Sequence, residues 1–160
     1  MTIKGTPTVF LQVVVVLIGL VALIVLIRFP QLEGRAQGLD LISIYSDPFI
    51  LYGYTASIAF FVALYKAFKV LGYIRQNRLF SLESVKTLRS IKHCALILVA
   101  AIVLAGLYVM LFVTGEDSAG FISLCIISIF ISFAVAAAMA VLERILQNAV
   151  DMKTENDLTI

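Results

Sequence analysis

Four long stretches of this sequence carry no charged side chain: residues 5–27, 48–65, 94–115 and 118–142, which are 23, 18, 22 and 25 residues long. A bilayer core about 30 Å thick is crossed by about 20 apolar residues in helical form. Inside hydrocarbon every backbone N–H and C=O must find its partner within the protein, and a helix does this locally. The four stretches therefore read as membrane-spanning helices. The expected fold class is all-α, an integral membrane four-helix bundle. Composition supports this, since 62% of the 160 residues are apolar and 14% are charged, where a water-soluble domain carries about 25% charged residues. A soluble enzyme and a DNA-binding domain are excluded as main readings. The net charge of +2 gives no reason to expect direct nucleic-acid binding.

Lys4 ahead of the first apolar run gives a superficial likeness to a secretion signal. The run exceeds the roughly 7–15 residues of such a signal, and it ends in Ile27-Arg28-Phe29-Pro30 without a small-residue cleavage site. It reads as an uncleaved first span, about 9–27. The other spans fall at about 48–66, 94–114 and 118–142, within a single domain 1–160. Basic residues set the orientation. The connection 66–93 carries Lys66, Lys69, Arg75, Arg78, Lys86, Arg89 and Lys92 against one acid, Glu83. Lys and Arg are retained on the cytoplasmic side during insertion. Both termini and the 66–93 hairpin are therefore expected in the cytoplasm.

Local signals refine the helices. Ser46-Asp47-Pro48 is a helix start, with a capping side chain and then proline at the first helical position. Tyr45, Phe49, Tyr52 and Tyr54 fit an aromatic belt at the outer face. Span 2 continues an apolar face past Lys66, to about Asn77. Ser81 restarts a helix as its cap, with Phe80 and Val85 at the positions of a hydrophobic staple. That helix is expected to run from 82 to 114, so helices 2 and 3 form a tall hairpin with a basic tip. Thr114-Gly115-Glu116-Asp117 is a tight turn, which makes spans 3 and 4 antiparallel neighbours. Ser128, Ser132, Ala136 and Ala140 form a stripe of small residues that lets another helix approach closely. The approaching helix belongs either to this bundle or to a second copy in a homodimer. Residues 143–160 form a cytoplasmic tail, amphipathic at first and a short polar segment from Lys153.

The spans contain no Asp, Glu, Lys, Arg or His. Intramembrane ionisable groups mark proton relays and ion sites, so a proton-coupled transporter is disfavoured. A passive pore lined by Thr55, Ser57, Ser123, Ser128 and Ser132 stays open as an alternative, although such hydroxyls more often bond back to their own helix. An intramembrane protease would need a base that these spans lack. His93, alone, reads as a water-facing ring at the boundary. Cys94 and Cys125 lie roughly 20 Å apart in depth at 1.5 Å per residue, too far for a disulfide. No catalytic, cofactor or metal residues are assigned.

The strongest remaining feature is the tip, net +6 over 66–92. These bases either only enforce topology or form a docking surface for membrane lipid headgroups or an acidic soluble partner. The tail, net −3 with its terminal carboxylate, could fold back onto the tip through Glu155 and Asp157. Such a clasp would be weak, because exposed pairs contribute about 0–1 kcal/mol each.

The run Leu64-Tyr65-Lys66-Ala67-Phe68, the restart Leu79-Phe80-Ser81, the segment from Val85 to Lys92 and the ending from Asp151 to Ile160 resemble the YoaS-like family. These are small four-span bacterial membrane proteins classed as a domain of unknown function. The resemblance covers nearly the whole chain, and Glu155-Asn156-Asp157-Leu158-Thr159 is its most specific element. It implies a multi-pass protein of the bacterial cell (inner) membrane. Members are often encoded beside a small Cro/CI-type helix-turn-helix regulator, which implies such a regulator as a partner. The expected function is non-enzymatic and regulatory: binding or sequestering that regulator through the tip and tail. The alternatives are a small oligomeric channel or transporter and an immunity-type membrane protein.

Overall fold

The computed structural model describes residues 6–32, 42, 47–112 and 118–157. They build four helices: α1 (Thr6–Leu32), α2 (Pro48–Arg75), α3 (Leu82–Phe112) and α4 (Ser118–Asp157). No strand occurs among the described residues. Each of the four helices is long and apolar enough to cross a membrane. The chain is an all-α, four-span membrane protein.

Side chains near the helix ends explain where the helices stop. The Asp47 carboxylate accepts the Phe49 N–H at 2.9 Å, and Pro48 fills the first helical position. At the far end of α2, the Asn77 N–H donates to the Ile74 carbonyl at 3.2 Å and the Arg78 N–H to the Tyr73 carbonyl at 2.9 Å. These two bonds form a Schellman motif, which needs a residue in the left-handed region. Asn77 occupies it with φ 55°, a conformation that asparagine tolerates better than most residues. The motif ends α2 at Arg75, two residues before the expected limit. Ser81 then caps α3, its hydroxyl accepting the Ser84 N–H at 3.3 Å. Ser84 is fully buried, and its hydroxyl donates to the Arg78 carbonyl at 3.1 Å. The connection between α2 and α3 is thus a fixed turn.

Each helix packs mainly on its neighbour in sequence, most extensively α3 on α4, then α2 on α3, then α1 on α2. The α1–α2 seam is close because two glycines leave room. A Cβ on Gly19 would come within 2.9 Å of Leu64, and one on Gly53 within 3.2 Å of the Phe29 ring. The Tyr52 hydroxyl donates to the Ala101 carbonyl of α3 at 2.8 Å, and the Tyr54 hydroxyl to the Leu26 carbonyl of α1 at 3.1 Å. These two tyrosines tie helices together. A carbonyl on the facing helix is the partner their hydroxyls find within an apolar bundle. Phe49 sits in an aromatic cluster at the end opposite the basic turn, 6.0 Å from the Tyr108 ring and 5.8 Å from that of Phe121. Tyr45 and the 114–117 turn lie outside the described residues.

The tightest apolar cluster lies at the basic end. Val85, Leu88, Leu146 and Val150 are buried together, with Val70, Leu79 and Met139 packed against them. Leu79 packs on this cluster, whereas Phe80, the expected staple residue, remains 56% exposed. The same cluster explains why α4 runs on to Asp157, where a polar tail was expected from Lys153. Leu146 and Val150 lie on one face of α4 and hold its continuation against α3.

Replacing Leu88 by alanine removes a nearly complete side chain from this cluster and is expected to cost about 2–5 kcal/mol. Tyr52→Phe removes one interhelical hydrogen bond and is expected to cost about 0.6 kcal/mol. Reversible unfolding in mixed micelles, followed by circular dichroism, measures both and should rank them in that order.

Candidate docking surface at the basic end

All seven bases of the 66–92 segment lie on the last turns of α2, the fixed turn and the first turns of α3. Their environments differ. Lys69 folds along its own helix, with its ammonium 5.7 Å from the Tyr73 ring centroid. Arg75 and Arg78 are exposed at the tip. Lys66 and Lys86 line a groove between α2 and α3. Arg89 and Lys92 turn the other way and converge on Glu143 of α4. Arg89 Nε donates to Oε1 at 2.6 Å and Lys92 Nζ to Oε2 at 2.6 Å.

This double ion pair was not singled out from the sequence, where Glu143 counted only as part of an acidic tail. A usable signal was present. In an antiparallel hairpin, residues equidistant from the turn face each other. Arg89 and Glu143 each lie 27 residues from Glu116. Gly106 and Cys125 fall within one residue of that register, 10 and 9 residues from Glu116, the Cys125 side chain lying 3.8 Å from where a Cβ on Gly106 would stand.

The described ion pairs between the basic end and α4 both fall on Glu143, 12 residues before Glu155. Glu155 lies on the last turns of α4, and the side chain of Asp157 is outside the described ones. Lys92 first, then Arg89, holds the Glu143 carboxyl below the usual carboxylate range, with burial opposing them. The carboxylate side chain is 12% exposed while Arg89 is 54% exposed.

The small-residue stripe divides. Ala136 is buried, Ser128 is half-buried, and Ser132 faces the cavity described next. Ala140 is exposed, in a groove with Arg89, Lys92 and Glu143. A cavity of about 550 Å³ lies between all four helices toward the basic end, lined by residues such as Leu11, Leu64, Leu71, Ile91 and Ile131. The Ser132 hydroxyl is the one polar side chain among the residues lining it. Thr55, Ser57 and Ser123 donate to carbonyls of their own helices. Among the described residues no three of His, Cys, Asp and Glu meet as a metal site requires. The Nδ1–H of exposed His93 donates to the Arg89 carbonyl at 2.7 Å. Cys94 and Cys125 are both free thiols.

Four apolar helices and a folded, cationic end define a small multi-pass membrane protein. The chain belongs to the family described as "Protein of unknown function (DUF2975)", which matches residues 31–160. It is 36% identical over 156 residues to the "Uncharacterized membrane protein YoaS" of Bacillus subtilis (strain 168), an alignment covering 96% of this chain and 97% of that protein. No solved structure matches the chain.

Glu143→Gln is expected to destabilise the fold at neutral pH by about 1–2 kcal/mol. That exceeds an open surface pair, because the carboxylate is shielded, and falls short of a buried one, because Arg89 is not. A carboxyl held below its ordinary value of 4.5 stabilises the fold above that pH. This contribution disappears as pH falls through the folded value. Thermal unfolding of the natural chain and of E143Q, compared at pH 7 and below 4.5, should show the difference between them shrinking on acidification.

Proposed function

We propose that the chain is a non-enzymatic docking protein of the bacterial cell membrane, with its basic end and both termini in the cytoplasm. There it binds or sequesters a small soluble regulator of the helix-turn-helix class. The carrying observation is a packed platform beyond the apolar spans. From Lys66 to Arg75 helix α2 rises about 14 Å, and from Leu142 to Asp157 helix α4 rises about 22 Å, at 1.5 Å per residue. These extensions share the Val85, Leu88, Leu146 and Val150 cluster. A segment that only fixed topology would need no core of its own.

The surface of the platform suits a protein partner. Phe80, Leu82 and Met152 are 56%, 57% and 62% exposed, at positions these lengths put outside hydrocarbon. Exposed large apolar residues among charges are the usual composition of an interaction surface. The basic excess of the 66–92 segment supports a cytoplasmic placement. The choice of a helix-turn-helix partner rests on the family resemblance.

Two measurements test the reading. A green fluorescent protein fused after residue 160 is expected to fluoresce, and an alkaline phosphatase fused there to be inactive; the reverse pattern overturns the orientation. Crosslinked capture from native membranes should recover a small DNA-binding protein with the full chain. A chain lacking residues 153–160 should recover much less of it. If both chains recover only themselves, sequestration is wrong.

A further inference from the structure

The pair at Glu143 accounts for only part of the charge at the basic end. On the other side of Arg89, a groove of about 480 Å³ runs between α2 and α3. Val62 and Lys66 line it from α2, and Lys86, Arg89, His93 and Cys94 from α3. The groove crosses the level at which the apolar spans end. Lys66 is the first charge after the stretch 48–65, and His93 immediately precedes the stretch 94–115. Val62 and Cys94 therefore form an apolar wall on one side, and Lys66, Lys86 and Arg89 a cationic wall on the other.

No carboxylate lines this groove. Lys66 and Lys86 have no acidic partner among the described residues. Arg89 borders both grooves, with its Nε committed to Glu143. The neighbouring polar groups are already engaged. The Ser90 hydroxyl donates to the Lys86 carbonyl at 3.1 Å, and the His93 Nδ1–H to the Arg89 carbonyl. What remains is an uncompensated pair of ammonium groups, bordered by the ion-paired Arg89 guanidinium and set directly against an apolar wall.

An anionic phospholipid has the complementary shape, a negative phosphate joined to an apolar chain. Basic pockets between spans on the cytoplasmic side recognise such headgroups in general. We propose that the α2–α3 groove binds the phosphate of one anionic phospholipid from the adjoining leaflet. Lys66 and Lys86 are its main contacts, Arg89 is the third, and Val62 and Cys94 lie against the start of an acyl chain. The site is separate from the platform surface proposed for the regulator and does not depend on that reading.

The test is native mass spectrometry of the detergent-solubilised full chain titrated with phosphatidylglycerol. Phosphatidylcholine with the same acyl chains is the control. One phosphatidylglycerol is expected to bind in clear preference to phosphatidylcholine. At about 1 kcal/mol per lysine near the surface, K66Q/K86Q should weaken that binding roughly 10–30-fold. R75Q/R78Q removes the same charge at the exposed tip and should change it less than about twofold, since neither side chain lines the groove. K66R/K86R should retain binding. Should K66Q/K86Q fail to fold, the single variants K66Q and K86Q are expected to lose about fivefold each. Equal losses in the two double glutamine variants would mean diffuse attraction and overturn the site. Equal binding of phosphatidylcholine, or displacement of the lipid by excess inorganic phosphate, would overturn it as well.

Discussion

Register across each hairpin governs the rest of this structure. Each helix packs chiefly on the next in sequence, so residues equidistant from a connection face each other. Gly19 meets Leu64 and Phe29 meets Gly53 about one centre, near Leu41. Tyr52 reaches Ala101 about a second, near Asn77. Arg89 reaches Glu143 about the third, at Glu116. Shifting any of these hairpins by one residue would rotate every facing side chain by about 100°. The first hairpin would lose its glycine contacts and the Tyr54 tie, the second the Tyr52 tie, and the third the double ion pair.

The change of surroundings along each helix explains where the core is. Lipid tails are as apolar as leucine, so burying an apolar side chain within the membrane gains little beyond improved packing. Large residues such as Phe10, Phe130 and Met110 stay mostly exposed there. Contacts between the spans instead rely on small residues and hydroxyls, as at Gly19, Gly53, Tyr52 and Ala136. Where the helices leave the apolar stretches, water restores the incentive to bury apolar surface. The Val85, Leu88, Leu146 and Val150 cluster forms there.

Much of the fold was legible because its signals are local. Charge-free windows give the spans, and Asp47-Pro48 and Ser81 give helix starts without reference to the rest of the chain. Features that depend on two helices were not legible in the same way. Tyr52 and Tyr54 look like belt residues by composition; only the facing carbonyls of Ala101 and Leu26 reveal them as ties. Glu143 looks like one acid of a tail until the hairpin register puts it opposite Arg89. The reach of α4 was underestimated because its last turns are polar in composition, although Leu146 and Val150 pack on α3. At the basic end, the sequence presents seven equivalent cations. Their division between the ion pair, the groove and the tip arises from the angular positions of the residues around α2 and α3.

The ion pair also has a temporal side. A chain is made from its N-terminus, and segments act in that order. The hairpin of α2 and α3 is therefore synthesised before α4. Arg89 and Lys92 are then without Glu143, and the segment 66–92 presents its full net charge of +6. Glu143 arrives later, and in the finished fold it closes on Arg89 and Lys92. The same two side chains thus belong first to a basic segment of the kind that biases insertion and afterwards to a latch that fixes the last helix in place.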